Sequence, residues 1–170
     1  NLIERAEKSN RNREHTSLQT TIKKLGQQYG FLSTIEKETK CGGRVDVALE
    51  KDAIKIGCEI SVTNSTEYEV QNIKKCLNNE YDLVLMISSN ESHLEEIKKS
   101  ANTSLSKIEL KRVFFIKPEE VSEYLNITTE QKPKTEVVKG FRVTTEYENQ
   151  SGGSFKSIRE GIARILGKRI

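Results

Sequence analysis

Gly42-Gly43-Arg44-Val45-Asp46-Val47-Ala48-Leu49-Glu50-Lys51-Asp52-Ala53-Ile54-Lys55-Ile56-Gly57-Cys58-Glu59-Ile60-Ser61-Val62-Thr63 holds two strands and the turn between them. Gly42 and Gly43 signal a turn, and Val45, Val47 and Leu49 then alternate over Arg44–Glu50, the period of a half-buried strand. In the following strand, about Ala53–Thr63, Ile54, Ile56, Cys58, Ile60 and Val62 line one face. Lys55, Gly57, Glu59, Ser61 and Thr63 line the other. Antiparallel pairing through the Lys51-Asp52 turn would bring Asp46, flanked by valines, close to Glu59.

Upstream, His15, Leu18, Ile22, Leu25 and Tyr29 recur at spacings of three and four, predicting a helix from Asn12 that Gly30 stops. Residues 1–12 read as a polar, frayed or helical lead-in, and a strand is expected at about Phe31–Lys37. Downstream, Asn64-Ser65-Thr66 offers caps for a helix at about Glu67–Asn79, with Val70, Ile73 and Leu77 facing inward. Tyr81–Ser88 is an almost continuous apolar run, as in a central strand covered on both faces. A polar helix at about Glu91–Ser100, a short strand at Arg112–Lys117 and a helix at about Glu119–Leu125 opened by Pro118 complete the core. The order αβββαβαβα predicts an α/β fold with a mixed sheet flanked by helices.

The domain layout expected is a core over 1–127, a polar linker over 128–135 and a basic strand-helix appendage over 136–170. In the appendage a strand at about Val137–Tyr147, a Ser151-Gly152-Gly153 break and a helix at about Ser154–Gly167 are predicted. Phe155, Ile158, Ile162, Ile165 and Leu166 give that helix an apolar stripe for the core or a second subunit, so a homo-oligomer is one expected partner.

At 170 residues, 34% hydrophobic and 31% charged, the chain suits one domain plus a short appendage rather than two large domains. No apolar run approaches a membrane span, and no basic-then-apolar leader is seen. Asn1 is not methionine, so the chain reads as part of a longer protein. Cys41, Cys58 and Cys76 match no zinc spacing and suit a reducing, cytoplasmic setting. The net charge of +3 is small. Past residue 130, however, basic side chains including Arg142, Lys156, Arg159, Arg164 and Lys168 outnumber acids, compatible equally with DNA backbone contact and with a solvated surface. No Walker sequence is present, which excludes nucleotide triphosphate binding by that route.

Two close carboxylates repel, and a hard divalent cation with oxygen ligands is a natural way to stabilise them. Such a cation can activate water and neutralise charge on a phosphodiester under attack. The αβββαβ order, with an Asp separated by a strand turn from Glu-x-x, resembles the PD-(D/E)xK, restriction-endonuclease-like nuclease superfamily over roughly residues 10–127. Gly42–Val47, Cys58–Thr63 and Asn72–Leu77 also resemble the nuclease-like C-terminal domain of conjugation-associated, type IV secretion ATPases.

That resemblance implies a DNA-acting, Mg2+- or Mn2+-dependent nuclease-like domain of a larger parent chain. Asp46 and Glu59 match the metal-binding acids, Glu14 the acid of the first helix, and the Ile60 carbonyl an additional ligand. Ser61 stands where the pattern has lysine. The superfamily relocates that lysine, and Lys75 is preferred over Lys55, which lies roughly 13 Å along the strand from Glu59. Ser61, Thr63 and Asn72 would support the site.

Blander roles stand beside these: Lys75 as a solvated helical lysine, Asp46 as a partner of Arg44, Glu14 as a helix-dipole acid, and His15 and His93 without chemistry. Glu36, Glu67 and Glu69 are either exposed acids or an enlargement of the acidic cluster. The alternatives to a nuclease are a catalytically silent DNA-binding module of the same fold and an oligomerisation module.

Overall fold

The computed structural model describes residues 2–40 and 42–129, and two further strands at Thr135–Val138 and Phe141–Thr144. It divides into two units, Asn1–Ser122 and Glu123–Ile170.

Helix α1 spans Leu2–Gln28, so the predicted helix begins well before Asn12. Residues 2–12 lack glycine and proline and are rich in Glu, Lys and Arg, which sustain a helix without an apolar stripe. Gly30 at φ 79 ends it. Strands β1 (Leu32–Glu38), β2 (Arg44–Lys51) and β3 (Ile54–Ile60) follow as an antiparallel meander. Lys51 pairs with Ile54 across a two-residue loop, in which Asp52 takes φ 53, a conformation that Asp tolerates better than most residues.

Helix α2 (Thr66–Asn78) is capped by Ser65, whose side chain accepts from the Tyr68 N–H. It carries the chain to β4 (Leu83–Ile87), which pairs parallel with β3. Helix α3 (Glu91–Ser104) and the short α4 (Lys107–Leu110) then lead to β5 (Val113–Ile116), parallel to β4. A 3-10 turn at Pro118–Glu120 enters α5 (Val121–Thr129). The result is a mixed α/β fold with a five-stranded sheet in the order β1-β2-β3-β4-β5. Its parallel joins are those that a helix bridges, as crossover geometry requires.

Two glycines mark where helices press on opposite faces. A Cβ on Gly26 of α1 would lie 2.5 Å from Ser33 Oγ and 2.6 Å from Leu49 Cδ2. A Cβ on Gly57 of β3 would lie 3.1 Å from Cys76 Sγ of α2. Leu49 pairs with Ile56, so Gly57, the next residue, points to the opposite face. On the α2 side Val70, Ile73 and Leu77 pack with Leu94, Ile97 and Ala101 of α3 over Ala48, Val84 and Met86. All five residues of β4 are buried, as the apolar run predicted.

Helix α4 was not expected, although Ser106 and Glu109 form a capping box that is visible in the sequence. The single strand expected at about Val137–Tyr147 is instead a hairpin of β6 (Thr135–Val138) and β7 (Phe141–Thr144), with Val138 opposite Phe141. The intervening Lys139-Gly140 is a turn signal that reading the stretch as one strand passed over. Residues 130–134, within the expected linker, and the helix predicted at 154–167 lie outside the described residues, as does Cys41. Among the described residues no helix is long and apolar enough to cross a membrane.

Candidate active site

The sheet sets the site where β2 and β3 stop pairing. Their ladder ends at Val47 opposite Cys58. Beyond it the Ile60 N–H donates to Oδ2 of Asp46 at 2.7 Å, so a side chain takes the place of the missing backbone acceptor. The Ser61 N–H points the other way, donating to the Ile87 carbonyl of β4 at 2.8 Å. Because backbone groups alternate along a strand, the Ile60 carbonyl faces the Asp46 side as its N–H does.

Asp46 is also reached from α1, where His15 Nε2 lies 3.2 Å from the same Oδ2. This hydrogen bond holds the imidazole above its ordinary value of 6.5, against the opposing pull of burial, and the charges of Asp46, Glu36 and Glu69 add to it. On β1, Glu36 adopts φ 52. Its Oε1 accepts from Gln19 Nε2 at 2.6 Å. Arg11, His15 and Gln19 are spaced four apart on α1 and meet Thr63, Asp46 and Glu36 respectively, so one stripe of the helix crosses β1, β2 and the segment that follows β3.

Glu59 is only 2% exposed and leans on the other helix. Its Oε1 accepts from Cys76 Sγ at 3.0 Å and lies 3.2 Å from Lys75 Nζ. Burial, then the charge of Asp46, pushes its carboxyl up to about 8, despite the opposing influence of Lys75 and Cys76. The two acids thus act on each other electrostatically, while each takes its side-chain contacts from a different helix. Lys75 also donates to the Arg44 carbonyl and, at 3.2 Å, to Asn72 Oδ1.

The remaining predicted residues are distributed around this pair. Glu14 accepts from Ser89 Oγ at 2.6 Å, just past the end of β4, and it is the neighbouring His15 that meets Asp46. Ser61 is fully buried, with its Oγ 3.0 Å from His93 Nε2. Thr63 Oγ1 lies 3.5 Å from the Arg11 guanidinium. Lys55 pairs loosely with Glu80 at 4.0 Å. Glu67 is exposed at the start of α2, where hydrogen bonds from its own backbone N–H and from Ser65 and Thr66 hold its carboxyl below the ordinary value. Arg142 lies on β7 opposite Val137, and Lys156, Arg159, Arg164 and Lys168 lie outside the described residues.

Glu69 was only weakly singled out from the sequence, yet it is 1% exposed and holds two amides. Asn64 Nδ2 donates to its Oε1 at 2.8 Å and Asn72 Nδ2 to its Oε2 at 3.2 Å. The available signal was its position three residues before Asn72 and four before Ile73, on the inward side of α2. Among the described residues no group of three or more His, Cys, Asp and Glu side chains is arranged to hold a metal. Comparison with known protein families, curated proteins and solved structures gives no match to this chain.

Proposed function

We propose that this chain is a restriction-endonuclease-like, PD-(D/E)xK-type domain that acts on DNA phosphodiester bonds with Mg2+ or Mn2+. The observation that carries this reading is the placement of the Lys75 ammonium 3.2 Å from Glu59 Oε1, beside a site where the strand offers only Ser61. A helix thereby supplies the positive charge that the strand lacks. The αβββαβ order and the contact between Asp46 and the Ile60 N–H support the same reading.

The donor set suits a hard divalent cation as a two-carboxylate site. Asp46, Glu59 and the Ile60 carbonyl offer oxygen alone, the ligand type that Mg2+ and Mn2+ prefer, with water completing the shell. A buried acid pushed up to about 8 partly by its acidic neighbour marks a place short of positive charge. When bound, the cation supplies Lewis-acid stabilisation of the phosphate and a more acidic water. The chain's own residues do the rest. Lys75 favours the ionised form of Glu59, His15 and the Ile60 N–H orient Asp46, and the Cys76 thiol fixes the Glu59 rotamer. The free thiols of buried Cys58 and Cys76 suit a reducing, cytoplasmic setting.

The test is incubation of the purified chain with supercoiled plasmid and Mn2+ or Mg2+, with Asp46→Ala and Lys75→Ala as controls. Metal-dependent nicking that Asp46→Ala abolishes and Lys75→Ala slows strongly, to a residual rate, is the expected result. Equal nicking by wild type and Asp46→Ala would mean that a contaminant cuts and would defeat the proposal.

A second reading is a silent DNA-binding module of this fold, and one observation favours it. An ammonium has three donors, and the contacts of Lys75 with Glu59, Asn72 and the Arg44 carbonyl occupy all of them. A salt-dependent gel shift without cleavage would select this reading.

A further inference from the structure

A chain of side chains runs along α2 behind the two acids. The Glu69 carboxylate accepts from the Asn64 amide at one oxygen and from the Asn72 amide at the other, at 2.8 and 3.2 Å. Asn72 turns its remaining polar atom, Oδ1, to Lys75 Nζ at 3.2 Å, and Lys75 stands the same distance from Glu59. An asparagine between a carboxylate and an ammonium has one satisfied orientation, with NH2 towards the anion and oxygen towards the cation. Buried Glu69 therefore dictates which way Asn72 faces. Asn72 in turn gives Lys75 an acceptor that draws the ammonium to Glu59 rather than out to solvent.

We infer that Glu69 and Asn72 are positioning residues, which fix the Lys75 ammonium against Glu59 through the sequence Glu69–Asn72–Lys75. The inference rests on the proposed reaction for its kinetic consequence, but not for the hydrogen-bond chain itself. It gives Glu69 a role that needs no metal, since each of its oxygens is already oriented by an amide. It also explains why a lysine on a flexible four-carbon stem can replace one fixed on a strand. Residues three apart on successive turns of α2 hold it, in the steps Glu69, Asn72, Lys75.

The experiment has two arms. In the first, single-turnover nicking of supercoiled plasmid is followed for wild type, Glu69→Ala, Glu69→Gln, Asn72→Ala and Lys75→Ala, with Mn2+ titrated for each. Misplacing a group at a reacting centre costs up to about 100-fold, so Asn72→Ala and Glu69→Ala are expected to slow nicking by about 10- to 100-fold. The plasmid concentration needed for half-maximal rate should stay unchanged, and any rise in the Mn2+ requirement should not exceed that of Lys75→Ala, because Lys75 favours the ionised form of Glu59. Glu69→Gln keeps an acceptor for Asn72 and should recover most of the rate. Combined with Lys75→Ala, neither substitution should slow the reaction further. A Mn2+ requirement raised beyond that of Lys75→Ala would make Glu69 a metal ligand and overturn the inference, as would losses that add to that of Lys75→Ala. Where Glu69→Ala fails to fold, Asn72→Ala carries this arm.

The second arm needs no activity. The Lys75 ammonium, with its three donors engaged, should give a slowly exchanging signal in the NMR spectrum of 15N-lysine-labelled wild type. That signal should be lost in Asn72→Ala and retained in Glu69→Gln. If wild type does not cleave, the functional proposal fails, and this arm alone decides whether the chain of contacts holds Lys75. An unchanged signal in Asn72→Ala would overturn it.

Discussion

Lys75 Nζ lies 3.2 Å from Glu59 Oε1, joining a lysine of α2 to a carboxylate of β3 that is 2% exposed. The pair is uneven. Lys75 keeps 19% of its side chain in solvent, so Glu59 carries most of the desolvation. Removing the lysine leaves the acid with fewer partners. Lys75→Ala is expected to destabilise the fold by about 1–3 kcal/mol near pH 9, where Glu59 is ionised. The loss should be smaller at pH 5, where Glu59 is protonated and needs no counter-charge. Urea unfolding at the two pH values measures this, and an equal loss at both would contradict it.

Glu59 itself should impose a pH dependence on stability. Its carboxyl is pushed from 4.5 up to about 8, so the folded state holds the proton more tightly than the unfolded chain. The contribution is fully present below about pH 4.5 and is lost as pH rises through about 8, at about 1.4 kcal/mol per pH unit inside that window. Glu59→Gln removes this dependence. Relative to wild type, the variant should gain stability from pH 5 to about pH 8 and level off above it in urea melts, and a constant difference would exclude the assigned titration.

Metal binding should run in the opposite sense. A cation takes the ionised acid, so Mn2+ should raise the melting temperature more at pH 8.5 than at pH 6, with release of a proton. Asp46→Ala should abolish the shift at both pH values. Thermal melts with and without Mn2+ test this, and stabilisation that survives in Asp46→Ala would place the ion elsewhere.

The contact between His15 and Asp46 gives a third titration, of ordinary sign for a histidine. The imidazole is held above 6.5, so its stabilising contribution is present below that pH and is lost as pH rises through the folded value. Both side chains are partly solvated, which limits the coupling to about 0.5–1 kcal/mol. A double-mutant cycle with His15→Ala and Asp46→Asn should find that coupling at pH 6 and a weaker one at pH 9, where the neutral imidazole keeps a single N–H donor.

Gly26→Ala sets two effects against each other. Alanine is better than glycine inside a helix by about 1 kcal/mol. The new Cβ, however, would lie 2.5 Å from Ser33 Oγ and 2.6 Å from Leu49 Cδ2, so the buried Ser33 and Leu49 side chains must repack or α1 must shift. Overpacking costs about 1–3 kcal/mol, so the clash wins and chemical denaturation should show net destabilisation. Because the same helix carries His15, the change should also loosen its contact with Asp46.

The sequence by itself determined the order of the core elements apart from the short α4, the mixed character of the sheet and the alternation of faces along β3. These follow from periodicity, which is local. Ile56 and Cys58 could be assigned to one face and Gly57 and Glu59 to the other because a strand alternates regardless of what surrounds it. Lys75 was also legible as a candidate, through its place on the helix that follows Glu59. What only the tertiary structure decided was which side chains meet. His15 rather than its neighbour Glu14 reaches Asp46, and Ser61 turns to His93. Glu69, one acid among several along the chain, becomes the buried anchor of Asn72. Such contacts depend on how α1 and α2 are seated on the sheet, through close packing at Gly26 and Gly57 between segments far apart in the chain, which no local periodicity encodes.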